Sequence, residues 1–249
     1  MKKVWLDAGH GGKDPGATGH GLQEKDIALA LSLAIKDKLE NEYEGVQVIL
    51  SRSADVFLEL KERTNKANAA GADILVSIHC NAGGGAGGFE SFRHTSASIA
   101  AAELQHALHT EIMSALKPYG VNDRGQKSAN LHMCRESRMP AVLTENLFID
   151  VKNDADRLMK ADIIKAIVNG HAAGIAKYLG LQKKSVPAPN QNAIVKVIVN
   201  GKLIENVKQI DQVTYVPLRA LCEALGAKLS WDNDAKMATV SGVSVSSDR

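Results

Sequence analysis

Apolar and polar positions alternate along the first 180 residues with two different periods. Ile27, Leu31, Ile35 and Leu39 recur every four residues, which predicts a helix with one apolar face. The segment 46–50 instead has an apolar side chain at every second position, as expected of a strand. Short strands that alternate with amphipathic helices are typical of an α/β domain.

The segment 73–79 is apolar on both faces until it ends at His79. Such a run predicts a central strand with helices on each side, because a solvated face would carry polar residues at every second position. We therefore predict an α/β fold with a twisted, mostly parallel sheet flanked by helices on both faces. The other predicted elements are strands at 4–6, 89–92 and 141–147, a loop at 7–21, and helices near 58–70, 98–116 and 160–179.

A stretch with two prolines and no hydrophobic period follows the last of these helices. Proline and the absence of periodicity are typical of a linker, which we place at 181–192. The linker separates a predicted domain at 1–180 from a smaller one at 193–249.

The smaller domain has its own signals. A strand at 194–199 is followed by the hairpin turn Asn200-Gly201. Pro217 suits a helix start and Gly226 a helix end, and 229–240 has the pattern of another hairpin. We predict a small α+β domain.

Composition narrows the class of protein. The chain has 249 residues, 45% of them hydrophobic, and a formal net charge of +2. This charge is far from the concentrated basic stripe of a nucleic-acid-binding protein, so no nucleic-acid partner is expected. Cys80, Cys134 and Cys222 are widely spaced and form no CxxC motif, which predicts free, buried thiols.

The N-terminal residues and the lengths of the apolar runs indicate where the protein is expected to be located. The first apolar run meets Asp7 too early for a signal peptide, and no stretch reaches the roughly 18 apolar residues that span a bilayer. We expect no membrane insertion and a location in the cytoplasm until the protein is released. The sequence does not indicate the oligomeric state.

Three residues with metal-binding side chains lie at the edges of predicted elements. His10 follows the first strand, Glu24 opens the first helix and His79 ends the central strand. In an open α/β sheet, sites gather beyond the carboxyl ends of the strands. Two imidazoles, one carboxylate and an open position form a known catalytic zinc arrangement. The spacing of these three residues is by itself weak evidence for a zinc site, since no HExxH motif is present.

Other residues compete for these roles. His132 and Cys134 would share a face if 131–134 were a strand, which makes them the strongest rival pair. Cys80 points away from His79 on a strand and is expected in the core. His20 lies in the glycine-rich loop and is expected in solvent. The loop lacks the spacing of phosphate-binding motifs, so we interpret its glycines as residues that position His10.

Four motifs in order resemble the zinc-dependent N-acetylmuramoyl-L-alanine amidase family, which includes phage endolysins and bacterial autolysins. The resemblance covers the first 180 residues or so. The motifs are LDAGHGGKDPGATG at 6–19, LQEKDIALAL at 22–31, ADILVSIHCNA at 72–82 and MPAVLTENLFID at 139–150.

The resemblance implies a site and an activity. It implies that His10, Glu24 and His79 bind one Zn²⁺ and that Glu145 is the catalytic general base. It also implies hydrolysis of the bond between N-acetylmuramic acid and L-alanine in bacterial peptidoglycan, as in a phage endolysin. Two alternatives stay open: a zinc peptidase that cuts within the stem peptide, and a non-catalytic wall-binding protein.

The segment 194–241 resembles the small domain named after the N-terminal domain of copper amine oxidases. It contains no histidine, so it offers no obvious copper site. The resemblance implies an accessory module that binds the cell wall. Trp231 is expected to pack in the small core rather than to stack on a sugar.

Overall fold

The computed structural model describes residues 1–185, 196–210 and 213–242. The chain divides into two compact units, residues 1–184 and 185–249. The predicted linker at 181–192 lies outside the described residues beyond position 185. Its first residues continue the larger unit, because Gln182 accepts a hydrogen bond from the backbone of Glu44 and Lys184 donates one to Glu42.

The larger unit contains eight strands and six α-helices among its described residues. Its strands are β1 (Lys2–Ala8), β2 (Thr18–Gly19), β3 (Leu22–Gln23), β4 (Val46–Leu50), β5 (Ile74–Asn81), β6 (Phe89–Arg93), β7 (Asp123–Ser128) and β8 (Ala141–Phe148). Its helices are α1 (Glu24–Glu42), α2 (Leu60–Ala70), α3 (Ile99–Leu116), α4 (His132–Glu136), α5 (Lys152–Leu158) and α6 (Ala161–Leu179).

Six of these strands form one sheet in the order β4-β1-β5-β8-β6-β7. Neighbouring strands are parallel except for β6 and β8, which are antiparallel. The predicted mostly parallel α/β sheet is confirmed. The central position of β5 explains why its sequence is apolar on both faces.

Two apolar clusters cover the two faces of the sheet. Strand residues that include Leu6, Val76 and Ile78 pack with α1, α3 and α6 in the larger cluster. The alternate positions Trp5 and Leu75 pack with α2 and α4 in a smaller cluster. We call these the covered face and the open face. The apolar cluster on the open face reaches only the first residues of β5 and β8, so the later residues of these strands are left for polar side chains.

Several local predictions fail. Within the predicted loop 7–21, β1 continues to Ala8 and β2 pairs with β3. Three short elements, β7, α4 and α5, carry too little hydrophobic period to be predicted. Residues 131–134, considered as a strand, lie instead at the start of α4.

The smaller unit contains three hairpins and a helix in its described part. The strands are β9 (Val197–Val199), β10 (Lys202–Ile204), β11 (Lys208–Ile210), β12 (Val213–Tyr215), β13 (Lys228–Asp232) and β14 (Met237–Ser241), and the helix is α7 (Leu218–Leu225). The predicted hairpin at Asn200-Gly201 and the helix between Pro217 and Gly226 are confirmed. The first two residues of the predicted strand 194–199 lie outside the described residues.

The core role expected for Trp231 is wrong. Its side chain is 56% exposed on the β13–β14 hairpin, and its indole nitrogen donates a hydrogen bond to Asn233. With strands of three to five residues and one two-turn helix, this unit offers little interior for so large a ring.

None of the helices in the described part of the chain is long and apolar enough to cross a membrane.

Candidate active site

The structure brings His10, Glu24 and His79 together at the carboxyl edge of the sheet. One ligand atom from each residue lies within 4.8 Å of the others. The Glu24 carboxylate bridges the two rings: Oε2 lies 3.0 Å from His10 Nε2, and Oε1 lies 2.8 Å from His79 Nδ1. Three residues from a loop, a helix start and a strand end thus share one small volume.

The three side chains fit a zinc ion by chemistry and by spacing. Ligands at 2.0–2.2 Å in a tetrahedral zinc site stand about 3.4 Å from one another. The two ring nitrogens lie 3.0 Å and 2.8 Å from the Glu24 oxygens, and one ligand atom from each residue lies within 4.8 Å of the others, so the cluster is compact enough for one ion. Two imidazoles and one carboxylate are a donor set that zinc uses in catalytic sites.

The glycine-rich loop fixes the orientation of His10. The backbone of His10 has a φ of 57°, a left-handed conformation that a residue with a side chain rarely adopts. Such strained residues concentrate at functional sites, where the surrounding structure holds them in place. The Asp14 carboxylate lies 2.8 Å from His10 Nδ1, so the other ring nitrogen faces Glu24.

Asp14 is a further candidate residue of this site that was not predicted from the sequence. A carboxylate on the far nitrogen of a metal-binding histidine sets its tautomer and raises its basicity. The available signal was the four-residue spacing between His10 and Asp14 inside the first motif. Asp7, the other carboxylate close to His10 in the sequence, instead accepts hydrogen bonds from Arg63 and Ser77.

Two glycines leave room for the site. A Cβ atom on Gly9 would lie 2.3 Å from the His79 ring, and one on Gly16 would lie 2.6 Å from both Glu24 Oε2 and His10 Cδ2. Both distances are too short for any side chain. These glycines are required because the ring and the carboxylate occupy the space that a Cβ atom would need.

A buried ion pair supports the loop from beneath. The guanidinium of Arg63 is almost fully buried, pairs with Asp7 and donates hydrogen bonds to the backbone carbonyls of Ala8 and His10. Arg63 therefore ties α2 to the end of β1. A buried pair of this kind contributes more to a defined loop geometry than to net stability.

Glu145 lies beside the three-residue cluster on the next strand. In the register of β5 and β8, Glu145 is the direct neighbour of His79. Its Oε2 atom is buried and has no hydrogen-bond partner among the described residues. Because a buried polar atom without a partner is costly, this carboxylate is expected to meet a proton or a ligand in the working enzyme.

The site shifts the pKa values of its carboxyl groups in opposite directions. Burial raises the pKa of Glu145 to about 7; His79 opposes the shift, and the charges of Glu24 and Glu90 add to it. Burial also works against ionisation of Glu24, but hydrogen bonds from His10 and His79 outweigh it and hold the pKa of Glu24 well below its usual range. Carboxyl groups whose pKa values are driven apart take different roles in catalysis.

The pKa values of the two histidines in the cluster, His10 and His79, are raised. Burial opposes their protonation, but Glu24 and Asp14 outweigh it and raise the pKa of His10 to about 9. The pKa of His79 is also raised, by Glu24, Glu145 and Asp7, against the effect of burial. A metal ion would have to displace these protons, so binding of the ion is linked to their release.

A cleft of about 330 Å³ opens beside the cluster. Its walls combine His10, Asp14 and His79 with apolar residues of the loop before α2, including Phe57 and Leu58. A concave site with a few converging polar groups is the usual form of a small-ligand pocket.

The rival metal ligands lie elsewhere. His132 Nε2 lies 3.3 Å from Thr64, and the thiol of Cys134 faces the carbonyl of Phe92, so these two residues do not form a pair. Cys80 is buried on the covered face, as predicted. His20 is exposed and contacts the backbone of Asp150.

The remaining histidines do not join the cluster. His106 is exposed, whereas His109 on α3 and His171 on α6 are buried and hydrogen-bonded to neighbouring side chains.

An α/β sheet with this donor set and an adjacent buried glutamate at its carboxyl edge is the arrangement expected of a hydrolytic enzyme that uses a metal ion. Comparison with known proteins identifies the family. The family model described as N-acetylmuramoyl-L-alanine amidase matches residues 4–177, and the chain belongs to this family. It is therefore an amidase of peptidoglycan by class. Residues 198–246 match the model described as copper amine oxidase N-terminal domain.

Curated relatives agree with this assignment. The chain is 52% identical to the endolysin of Bacillus phage SPP1 over 186 residues, which cover 74% of this chain and 68% of that protein. It is 47% identical to the sporulation-specific N-acetylmuramoyl-L-alanine amidase of Bacillus subtilis (strain 168) over 185 residues, 74% of this chain and 71% of that protein.

Solved structures share the fold. The catalytic domain of CwlV, an N-acetylmuramoyl-L-alanine amidase from Bacillus (Paenibacillus) polymyxa var. colistinus, is 35% identical, with a TM-score of 0.68 over 73% of this chain and 100% of that chain. An N-acetylmuramoyl-L-alanine amidase from Clostridium difficile 630 is 33% identical, with a TM-score of 0.68 over 72% of this chain and 97% of that chain.

Proposed function

We propose that the chain hydrolyses the amide bond between the lactyl group of N-acetylmuramic acid and the L-alanine of the stem peptide. The family and its named relatives support this substrate. The observation that carries the reaction is local: a buried carboxylate oxygen of Glu145 without a partner lies beside a cluster of two imidazoles and one carboxylate.

His10, Glu24 and His79 would hold a single Zn²⁺. When bound, the ion supplies a Lewis acid that polarises the lactyl carbonyl and lowers the pKa of water. Asp14 keeps His10 in the tautomer that presents Nε2, and Gly9 and Gly16 leave the space that the ligands occupy. The chain's own contribution here is to fix the orientation of three ligands before substrate arrives.

Glu145 acts as the general base and then as the general acid. Its carboxylate accepts a proton from the attacking water at Oε2 and passes it to the amine nitrogen of the departing L-alanine. A pKa near 7 suits both steps, since the group must take up and give back a proton at neutral pH. The burial of Oε2 limits the access of competing water to this carboxylate.

Replacement of Glu145 by glutamine tests this proposal. Glu145→Gln keeps the size of the side chain and removes the proton acceptor, so kcat on defined peptidoglycan should fall by about 10³-fold while bound zinc and wall binding are retained. Zinc is measured by elemental analysis and the products by mass spectrometry. Glu136→Gln, an exposed glutamate on α4, serves as the matched control and should keep full activity.

The products separate the competing reactions. Amidase action frees intact stem peptides with a new N-terminal L-alanine, whereas a peptidase releases fragments cut within the stem. A wall-binding protein without catalytic activity releases neither. Full activity of zinc-loaded Glu145→Gln protein would remove Glu145 from the mechanism.

We further propose a division of labour within the chain. Residues 1–180 act as the catalytic domain, 181–192 as a linker and 193–249 as an accessory domain that holds the enzyme on the wall. The similarity to the SPP1 endolysin supports a role as a phage endolysin that is released from the host cytoplasm at lysis. Removal of the accessory domain should weaken sedimentation with purified walls and leave hydrolysis of small soluble substrates unchanged.

A further inference from the structure

A row of charged side chains continues across the open face beyond Glu145. In the antiparallel register of β6 and β8, Glu90 is the direct neighbour of Glu145. Glu90 is only 3% exposed, and its carboxylate accepts hydrogen bonds from Asn81, Arg124 and Lys127. The row therefore runs from His79 through Glu145 and Glu90 to two cations on the edge strand β7.

Arg124 and Lys127 together carry more positive charge than is required to neutralise Glu90. One carboxylate set against an arginine and a lysine leaves a net positive charge at the surface, with Arg124 and Lys127 still 32% and 38% exposed. Arg124 gives only its Nε hydrogen to Glu90, and neither Nη atom has an acceptor among the described residues. The terminal fork of this guanidinium is free to bind a second carboxylate, for which its planar donors are suited.

Packing holds these cations in position. The Cζ atom of Arg124 lies 4.5 Å from the centre of the Phe148 ring, and Lys127 Nζ lies 5.8 Å from the centre of the Phe92 ring. Cation–π contacts and the shared carboxylate restrict both side chains. A positioned pair of cations binds an anion with less loss of side-chain entropy than two mobile surface residues would.

The distance from the general base matches the stem peptide. Glu90 lies on the strand next to that of Glu145, and neighbouring strands are about 4.8 Å apart. A cation that is hydrogen-bonded to Glu90 from its far side therefore lies about 8 Å from Glu145. An extended peptide advances about 3.5 Å per residue, which puts the second stem residue about 7 Å from the amide bond that is cut. In peptidoglycan this residue is a D-glutamate linked through its side chain, and its α-carboxyl group is either free or amidated.

We infer that Arg124 and Lys127, held by Glu90, form an anion subsite that binds the free α-carboxylate of the second stem-peptide residue. This inference rests on the proposed amidase function. It makes the two cations specificity-determining residues: they favour stem peptides with a free carboxylate over those with an amide at the same position.

The test compares two soluble muramoyl-tetrapeptides that differ only in a carboxylate or a carboxamide at the second residue. Wild-type protein should show a higher kcat/KM for the carboxylate substrate. Arg124→Gln and Lys127→Gln should each reduce that preference on the order of tenfold, mainly through KM, and the double variant should remove it. Lys127→Arg should retain the preference because it keeps the charge.

The ratio of the two kcat/KM values is independent of how much of a preparation is folded, so partial unfolding cannot produce the expected result. Lys36→Gln, a lysine of similar exposure that pairs with Glu40 on α1, is the matched control and should leave the ratio unchanged. Equal losses on both substrates in the Arg124 and Lys127 variants would mean that these cations only neutralise Glu90, and would overturn the inference. Wild-type protein that cleaves neither substrate would overturn the proposed function itself.

Discussion

The two faces of the central sheet are built from alternate residues of the same strands, yet they differ in what covers them. On the covered face α1, α3 and α6 bury a continuous apolar layer. On the open face α2 and α4 cover only the first part of β5 and β8, and the later positions carry His79 and Glu145. The same strands thus supply a core on one side and the candidate active site on the other.

This difference shows how a strand can serve stability and chemistry at once. Successive side chains of a strand point to opposite faces, so Ile78 and Cys80 contribute to the core while His79 between them faces the cleft. Changes at adjacent positions are therefore expected to have different consequences. Substitutions can test how independent the two faces are.

The largest contrast is expected between His79 and Cys80. His79→Ala removes a proposed zinc ligand, so bound zinc should fall to background and activity should drop by more than about a hundredfold, since loss of a supporting residue alone costs 10–100-fold. Cys80→Ala should keep zinc and activity and lower the free energy of unfolding by about 1 kcal/mol. Elemental analysis and thermal melts check both. Loss of zinc in Cys80→Ala would show that the two faces are coupled.

A smaller effect is expected from His171, a buried histidine on the covered face. Burial lowers the pKa of His171 to about 4, although its hydrogen bond to the carbonyl of Ile167 opposes the shift. The unfolded chain takes up this proton near pH 6.5 and the folded chain only near pH 4, so stability falls as the pH drops through this window. The loss attributable to His171 is about 3 kcal/mol.

The measurement is the free energy of unfolding as a function of pH. His171→Gln should flatten the curve between about pH 6.5 and pH 4, whatever the variant's absolute stability. His106→Gln, at an exposed position, should leave the curve unchanged. An unaltered slope in His171→Gln would show that the buried ring does not control acid stability.

The smallest effect is expected where α6 meets α3 above the covered face. A Cβ atom on Gly174 would lie 2.7 Å from the Cα atom of Leu108, a backbone atom that cannot move alone. Gly174→Ala should therefore lower stability by about 1–2 kcal/mol, although alanine favours a helix by about 1 kcal/mol over glycine. Thermal melts should show this loss with activity retained. Lys165→Ala, at an exposed position of α6, should change stability by less than about 0.5 kcal/mol.

The long elements were predictable because each has a strong hydrophobic period. The α1 repeat from Ile27 to Leu39 and the apolar run of β5 correspond to a helix and a central strand in the structure. The short elements β7, α4 and α5 were missed because five to seven residues carry too little periodicity to separate from a loop. The position of Trp231 was predicted wrongly because aromatic character alone does not tell how deep a small core is.

The residues of the site also divide into those that were predicted from the sequence and those that were missed. The resemblance to the amidase family named His10, Glu24, His79 and Glu145 in advance, and the structure brings these four residues together. Asp14 was missed because its contact with His10 depends on a left-handed backbone at that histidine, which no hydrophobic pattern encodes.

By itself the sequence determined the class of fold and the approximate positions of the main elements, because these follow from local periodicity, and its motifs named the candidate ligand residues through their resemblance to a family. Only the tertiary structure decided which face stays open, that Glu145 lies between His79 and Glu90, and that Arg124 and Lys127 complete the row. These are consequences of strand order and register, which bring together residues up to 70 positions apart in the chain. Such contacts depend on how whole strands pair and not on any local segment.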